Sequence, residues 1–139
     1  MWRVVLDTNI LVSALISPKG NAAVILGMTA DAFLQPVYCG KILDEYEEVL
    51  TRPRFGFSRQ LINEALDLFR IFGVPVDPVK SDFPISDESN RIFYDTVVAG
   101  AAKLITGNLK HYPEKAFIVS PAAFLLNHIR YSQGKTGCP

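Results

Sequence analysis

Cysteine, histidine and tryptophan are scarce in this chain of 139 residues, with two, two and one of each. Two cysteines, Cys39 and Cys138, cannot frame a disulfide-stapled fold, and they lack the paired spacing of a zinc site. Cys39 reads as a buried thiol and Cys138 as a tail residue. Excess charge of either sign is also missing: 14 basic and 14 acidic side chains cancel. That balance argues against a broad nucleic-acid footprint, although a local basic patch can stand beside an acidic pocket. No apolar run is long enough to span a membrane, and no charged segment with a cleavage site opens the chain. The expectation is a cytoplasmic protein with no membrane partner. No Ser or Cys stands in a motif with His, which argues against covalent catalysis. Internal repeats, low-complexity stretches and an interdomain linker are absent too.

What remains is a composition for folding: 49% hydrophobic and 20% charged residues, in a length that suits one core. Val4–Leu6 reads as a short buried strand, followed by a helix over 9–16 with Pro18 and Gly20 as stop signals. A helix is expected over 21–32 and a strand over 33–39, with Pro36 speaking against the strand. Residues 40–53 make an amphipathic helix with Ile42, Leu43, Tyr46, Val49 and Leu50 on one face. Another helix runs over 58–73, with Ser58 as N-cap and Gly73 as stop. Residues 74–79 are extended. A helix over 86–102 presents Ile92, Phe93, Thr96, Ala99 and Gly100 on one face. Residues 103–108 read as a strand then a turn, 116–120 as a strand, and 121–131 as a helix with Pro in its first turn. The domain is placed at 1–132, with a flexible tail over 133–139.

Strands alternating with helices predict an α/β fold, with a central, mostly parallel sheet of about four to five strands covered on both faces. In such sheets, ligands bind outside the carboxyl ends of the strands. Asp7 stands there, directly after the first strand, as do Gly107 and Asn108 after "KLIT". A buried, unpaired acid is costly. At ~4 Å, like charges repel by about 4 kcal/mol even at an effective dielectric near 20. A divalent cation converts that repulsion into binding, and oxygen-only ligands suit Mg²⁺ or Mn²⁺. Asp7-Thr8-Asn9 also makes a good helix cap, so a purely structural Asp7 stays open. Asn9 stands where a haloacid-dehalogenase-like phosphatase needs a second Asp. The acidic pair of a response-regulator receiver is missing. In the 40–53 helix, Glu45 and Glu47 flank the apolar stripe on opposite edges, and periodicity does not choose between them.

The stretches "VVLDTNILVSAL", "ILDEYEEVLTRPRF" and "DESNRIFYDTVVAGAAKLITGN", with "LKHYP" after them, resemble PIN-domain proteins in order and spacing. The resemblance is to the group that act as toxins of toxin–antitoxin pairs, and it runs from about residue 2 to residue 126. It implies a three-layer PIN-like fold and a single-strand endoribonuclease that uses Mg²⁺ or Mn²⁺. Such domains gather three or four acids at the sheet's C-terminal edge. By the resemblance, Asp7 matches the first acid and Glu45 the second. Asn108 matches the fourth position, with Thr106 the polar residue beside it. At the third position relatives carry Asp and this chain carries Asn90, which brings no charge. Asp87 and Asp95 are the nearby substitutes as metal ligands. Asp87 also suits a helix N-cap, and Asp95 suits either a pocket or a salt bridge.

Substrate contact is expected from Arg52, Arg54 and Arg59, interleaved with Phe55 and Phe57, and from Lys110, His111 and Tyr112 after Asn108. Cations bind phosphates, and aromatic rings stack on unpaired bases. For Phe55 and Phe57, core packing under a loop is the commoner reading. The resemblance implies single-stranded RNA and a cognate antitoxin protein as partners. It also implies a homodimer, for which the apolar face of the 58–73 helix is the candidate. The alternative function is a catalytically weakened PIN module that acts by binding RNA or antitoxin, and Asn90 is the feature that favours it.

Overall fold

The computed structural model describes residues 2–136, with side chains described as far as His128. Five strands and six α-helices are found among the described residues. They are β1 (Trp2–Leu6), α1 (Thr8–Ile16), α2 (Asn21–Ala30), β2 (Leu34–Tyr38), α3 (Gly40–Leu50), α4 (Arg59–Phe72), β3 (Val74–Pro75), α5 (Arg91–Gly100), β4 (Lys103–Ile105), β5 (Ile118–Val119) and α6 (Pro121–Thr136). The strands form one sheet in the order β3-β2-β1-β4-β5. Every pairing is parallel, so the mostly parallel sheet expected from the sequence is wholly so.

The strand order has a direct consequence. From β1 the chain steps outward to β2 and β3, then returns across the sheet to β4 on the other side of β1. Right-handed crossovers place the helices of those two excursions on opposite faces. Helix α5, on the return, packs on β1, β2 and β4, while α1, α2 and α4 cover β1 and β2. β1 is therefore central, and its Val4, Val5 and Leu6 are fully buried. The carboxyl ends of β1 and β4, which pair Leu6 with Ile105, flank the point where the strand order reverses. That is where parallel α/β sheets open a ligand crevice.

Pro36 does not break β2, and the topology explains why. It pairs with Val4 of β1, while the two-residue β3 meets β2 only at Val37 and Tyr38. At the level of Pro36, β2 has a neighbour on one side only, so a missing N–H is tolerated.

The remaining differences are local. The predicted 86–102 helix begins later, because Asp87 accepts the Ser89 N–H at 3.0 Å and closes a 3₁₀ turn over Glu88–Asn90. Val97 is buried in α5 where Ala99 was expected, and Ala99 is exposed. Helix α3 ends at Leu50, and Pro53–Phe55 form a separate 3₁₀ turn. Ser58 and Gly73 bound α4 as read, Ser58 Oγ accepting from Leu61 N at 3.1 Å. The apolar face of α4 is not free for a second copy, however. Ile62, Ala65, Leu66 and Phe69 are buried in the chain's own core, leaving only Ile71 and Phe72 exposed at its end. Helix α6 continues to Thr136, past the 121–131 span expected. Cys138 and the end of the proposed 133–139 tail lie outside the described residues. Cys39 is a buried free thiol, as read. Among the described residues no single helix is long and apolar enough to cross a membrane.

Candidate functional site

Asp7 leaves the sheet at the carboxyl end of β1. Its N–H still donates to Ile105 O at 3.0 Å, which fixes the backbone beside β4. The residue holds the N-cap position of α1, yet its side chain makes no cap hydrogen bond. The carboxylate turns inward instead and is only 5% exposed. One oxygen, Oδ2, accepts from Thr106 Oγ1 at 2.7 Å and from Tyr112 Oη at 3.3 Å. This geometry answers the capping alternative: the Asp7 side chain is directed at Thr106 and Tyr112, not at the helix.

The second acid arrives on α3. Tyr46, fully buried, donates its hydroxyl to the carbonyl of Leu6, the last residue of β1. That bond fixes α3 against the strand end and brings the preceding residue, Glu45, to the same corner. Thr8 Oγ1 donates to Glu45 Oε2 at 2.8 Å. Partial burial raises the Glu45 carboxyl above its ordinary range; the Thr8 bond opposes this and the nearby Asp7 charge adds to it. Glu47, the rival on the opposite edge of the stripe, is taken by a surface ion pair with Arg59 at 2.8 Å. The structure thus separates the two acids that periodicity left equal.

On the β4 side, Thr106 is fully buried and its Oγ1 accepts from Asn108 N at 3.0 Å. Its single proton is thereby directed to Asp7. Asn108 is half-buried and opens the 3₁₀ turn Leu109–His111, which leads to Tyr112. Burial and the Asp7 charge hold the Tyr112 hydroxyl far above its ordinary range, so it remains a donor.

The other candidate acids, Asp87 and Asp95, do not join this corner. Asp87 is exposed and spends its Oδ1 on Ser89 N and Oγ, at 3.0 and 2.8 Å; these bonds hold its pKa low. It is the cap that its sequence position suggested. Asn90 is half-buried at the head of α5 and makes no side-chain cap bond. Asp95 is 5% exposed and accepts from Ser81 N at 3.1 Å. It lines a cleft of about 480 Å³ with Lys41, Lys80 and Arg91, beside Cys39 rather than Asp7. Among the described residues, no three His, Cys, Asp or Glu side chains converge as a metal-holding group. The three or four acids implied by the resemblance are here two, Asp7 and Glu45.

These two still fit a hard divalent cation. Neither joins an ion pair among the described residues. Two neighbouring carboxylates, one of them buried, have no cation of the described residues in direct contact, and only the Arg52 charge reaches Glu45 from a distance. The side-chain groups that contact them are all oxygens: the hydroxyls of Thr8, Thr106 and Tyr112. Such a donor set selects Mg²⁺ or Mn²⁺ over softer metals.

Of the predicted cations, Arg52 is the one whose charge reaches this corner. Arg52 pairs with Glu48 at 3.3 Å, and its charge also reaches Glu45, partly offsetting the rise in that carboxyl's pKa. The Arg54 guanidinium lies 4.8 Å from the Phe55 ring centroid, and Phe55 stacks on Phe57 at 5.5 Å and 10°. Phe57 packs against the core. Lys110 is exposed and His111 half-buried, its carbonyl accepting from Ser86 Oγ at 3.2 Å.

Three participants escaped the sequence reading: Thr8 as a bridge to Glu45, Tyr46 as the tether of α3, and Tyr112 as a partner of Asp7. Each contact spans 37 to 105 residues, and no local pattern announces it. Residues 3–110 match the family model described as PIN domain. No curated protein matches the chain.

Proposed function

This chain belongs to the PIN-domain family, a family of metal-dependent nucleases, and from that premise we propose that it is a Mg²⁺- or Mn²⁺-dependent single-strand endoribonuclease. The observation that carries the reading is the meeting of Asp7 and Glu45 at the switch point of the sheet, two acids from different elements with no protein cation between them. Asp7 and Glu45 are the residues that hold the metal. When bound, such a cation lowers the pKa of water and neutralises charge building on the phosphoryl oxygens. Thr106 and Asn108 offer neutral hydrogen bonds beside it, so they position groups without adding negative charge. Arg52, Arg54, Lys110 and His111 supply the cations that attract the phosphate backbone. Their local arrangement suits a single strand on a chain whose net charge is zero. In the cell, the role we propose is that of a cytoplasmic toxin held in check by a cognate antitoxin protein.

A second reading has its own observation. Only two acids converge among the described residues, which favours a PIN module that binds RNA or antitoxin and cleaves weakly. One experiment separates the readings. Single-stranded RNA is incubated with the protein in Mn²⁺ and in EDTA, beside the Asp7→Asn variant. Cleavage that requires Mn²⁺ and disappears in the variant is the expected result. Retention of RNA without cleavage in Mn²⁺ supports the binding module and overturns the nuclease.

A further inference from the structure

We propose that Tyr112 is a positioning residue for the cation site: with Thr106 it holds one oxygen of Asp7, so that the other is presented outward to the metal. The inference rests on the reading of Asp7 as a cation ligand. It starts from a chemical equivalence. The two oxygens of a carboxylate are identical, and the torsion that exchanges them is broad. Something must break the equivalence if one oxygen is to face the ion in a fixed direction.

In this fold two hydroxyls do so. Thr106 Oγ1 lies 2.7 Å and Tyr112 Oη 3.3 Å from the same atom, Asp7 Oδ2. Oδ1 accepts from none of the described residues. Each hydroxyl has one proton to give. That of Thr106 is steered to Asp7 because its oxygen already accepts from Asn108 N. The Tyr112 ring belongs to the core, at 7% exposure, and its N–H donates to Leu109 O at 3.1 Å. The hydroxyl is therefore placed by packing, not by a mobile surface chain. The two donors come from the strand end and from beyond the 3₁₀ turn, so the carboxylate is gripped from two backbone positions.

Outer-shell partners of this kind typically contribute 10- to 100-fold to metal affinity. Losing a donor also makes a carboxylate more basic, which alone would tighten metal binding. The direction of the change therefore tells orientation from basicity. Tyr112→Phe keeps the ring in the core and removes only the hydroxyl. Calorimetric titration with Mn²⁺ should show binding weakened by roughly tenfold. A Tyr112 that merely packs would alter the metal-free melting temperature and leave the affinity alone. A second pair tests the same oxygen independently: Thr106→Val should weaken Mn²⁺ binding, and Thr106→Ser should retain it. Unchanged or tighter binding by Tyr112→Phe, or equal affinities for the two Thr106 variants, overturns the inference while the metal reading stands. A wild-type protein that takes up no Mn²⁺ overturns both.

Discussion

Replacing Asp7 by Asn should have opposite effects with and without metal, and the structure sets the size of each. The substitution preserves volume and leaves an oxygen to accept from Thr106 and Tyr112. Two bonds that were charge-assisted become neutral, a loss of about 1 kcal/mol each. Against that, a carboxylate at 5% exposure is removed. The effective penalty for burying an ion is several kcal/mol, on the order of 3–4 before any pairing. Repulsion with Glu45 disappears as well. The balance for the metal-free variant is neutral to about 2 kcal/mol more stable. For a chain of this size, that is a rise of zero to about 8 °C in melting temperature. With Mn²⁺ at 100 times its dissociation constant, the wild type gains about 2.7 kcal/mol, roughly 10 °C, and the variant gains almost none. Thermal denaturation in EDTA and in Mn²⁺ reads all four values. A metal-free variant less stable by about 2 kcal/mol would mean that Asp7 is held chiefly as a structural acceptor. Equal Mn²⁺ shifts in both proteins would place the metal elsewhere.

Glu45→Gln should abolish Mn²⁺-dependent stabilisation, whereas Glu47→Gln should cost only the exposed pair with Arg59, worth about 0–1 kcal/mol; equal Mn²⁺ responses would erase the distinction. The raised Glu45 carboxyl also predicts a pH effect in EDTA. Its folded pKa lies above the unfolded one, so its stabilising contribution is full below the ordinary glutamate pKa and is lost as pH rises through the raised value. Denaturation midpoints of wild type and Glu45→Gln, compared across that window, should show the variant gaining relative stability as pH rises; a constant difference would contradict the shift. Two adjacent positions at the end of α5 should respond in opposite ways. A Cβ on Gly100 would lie 2.5 Å from Val37 Cγ1, which is fully buried, so Gly100→Ala should destabilise by about 1–3 kcal/mol. Ala101 holds a left-handed conformation at φ 50°, so Ala101→Gly should stabilise by about 1 kcal/mol; urea unfolding measures both.

Local chemistry made some of this site legible and hid the rest. An apolar run that ends on an acid located Asp7, because burial of β1 and the exposed strand end are both written within a few residues. Ser58 and Gly73 gave the limits of α4 for the same reason: capping is a contact between near neighbours. The choice between Glu45 and Glu47 was not local. Both flank the stripe of α3, and the decision falls to Thr8, Tyr46 and Arg59, which act across the fold or from the next helix. The third acidic position shows a different limit. Asp95 looked ambiguous on the helix because its partner, Ser81 N, is brought to it by the irregular path between β3 and α5. Tyr112, 105 residues from Asp7, could be read only as an aromatic near Asn108. The apolar face of α4 suggested a dimer surface, because periodicity marks a face as buried without saying what buries it.

The account stands on a cation lying between Asp7 and Glu45, and an anomalous difference map from a crystal soaked in Mn²⁺ tests that most directly. The predicted result is a single strong peak at about 2.0–2.3 Å from Asp7 Oδ1, on the Glu45 side of the pocket, and absent from Asp7→Asn crystals soaked alike. A map with no peak there, or with its peak in the Asp95 cleft beside Lys41, Lys80 and Arg91, would contradict it.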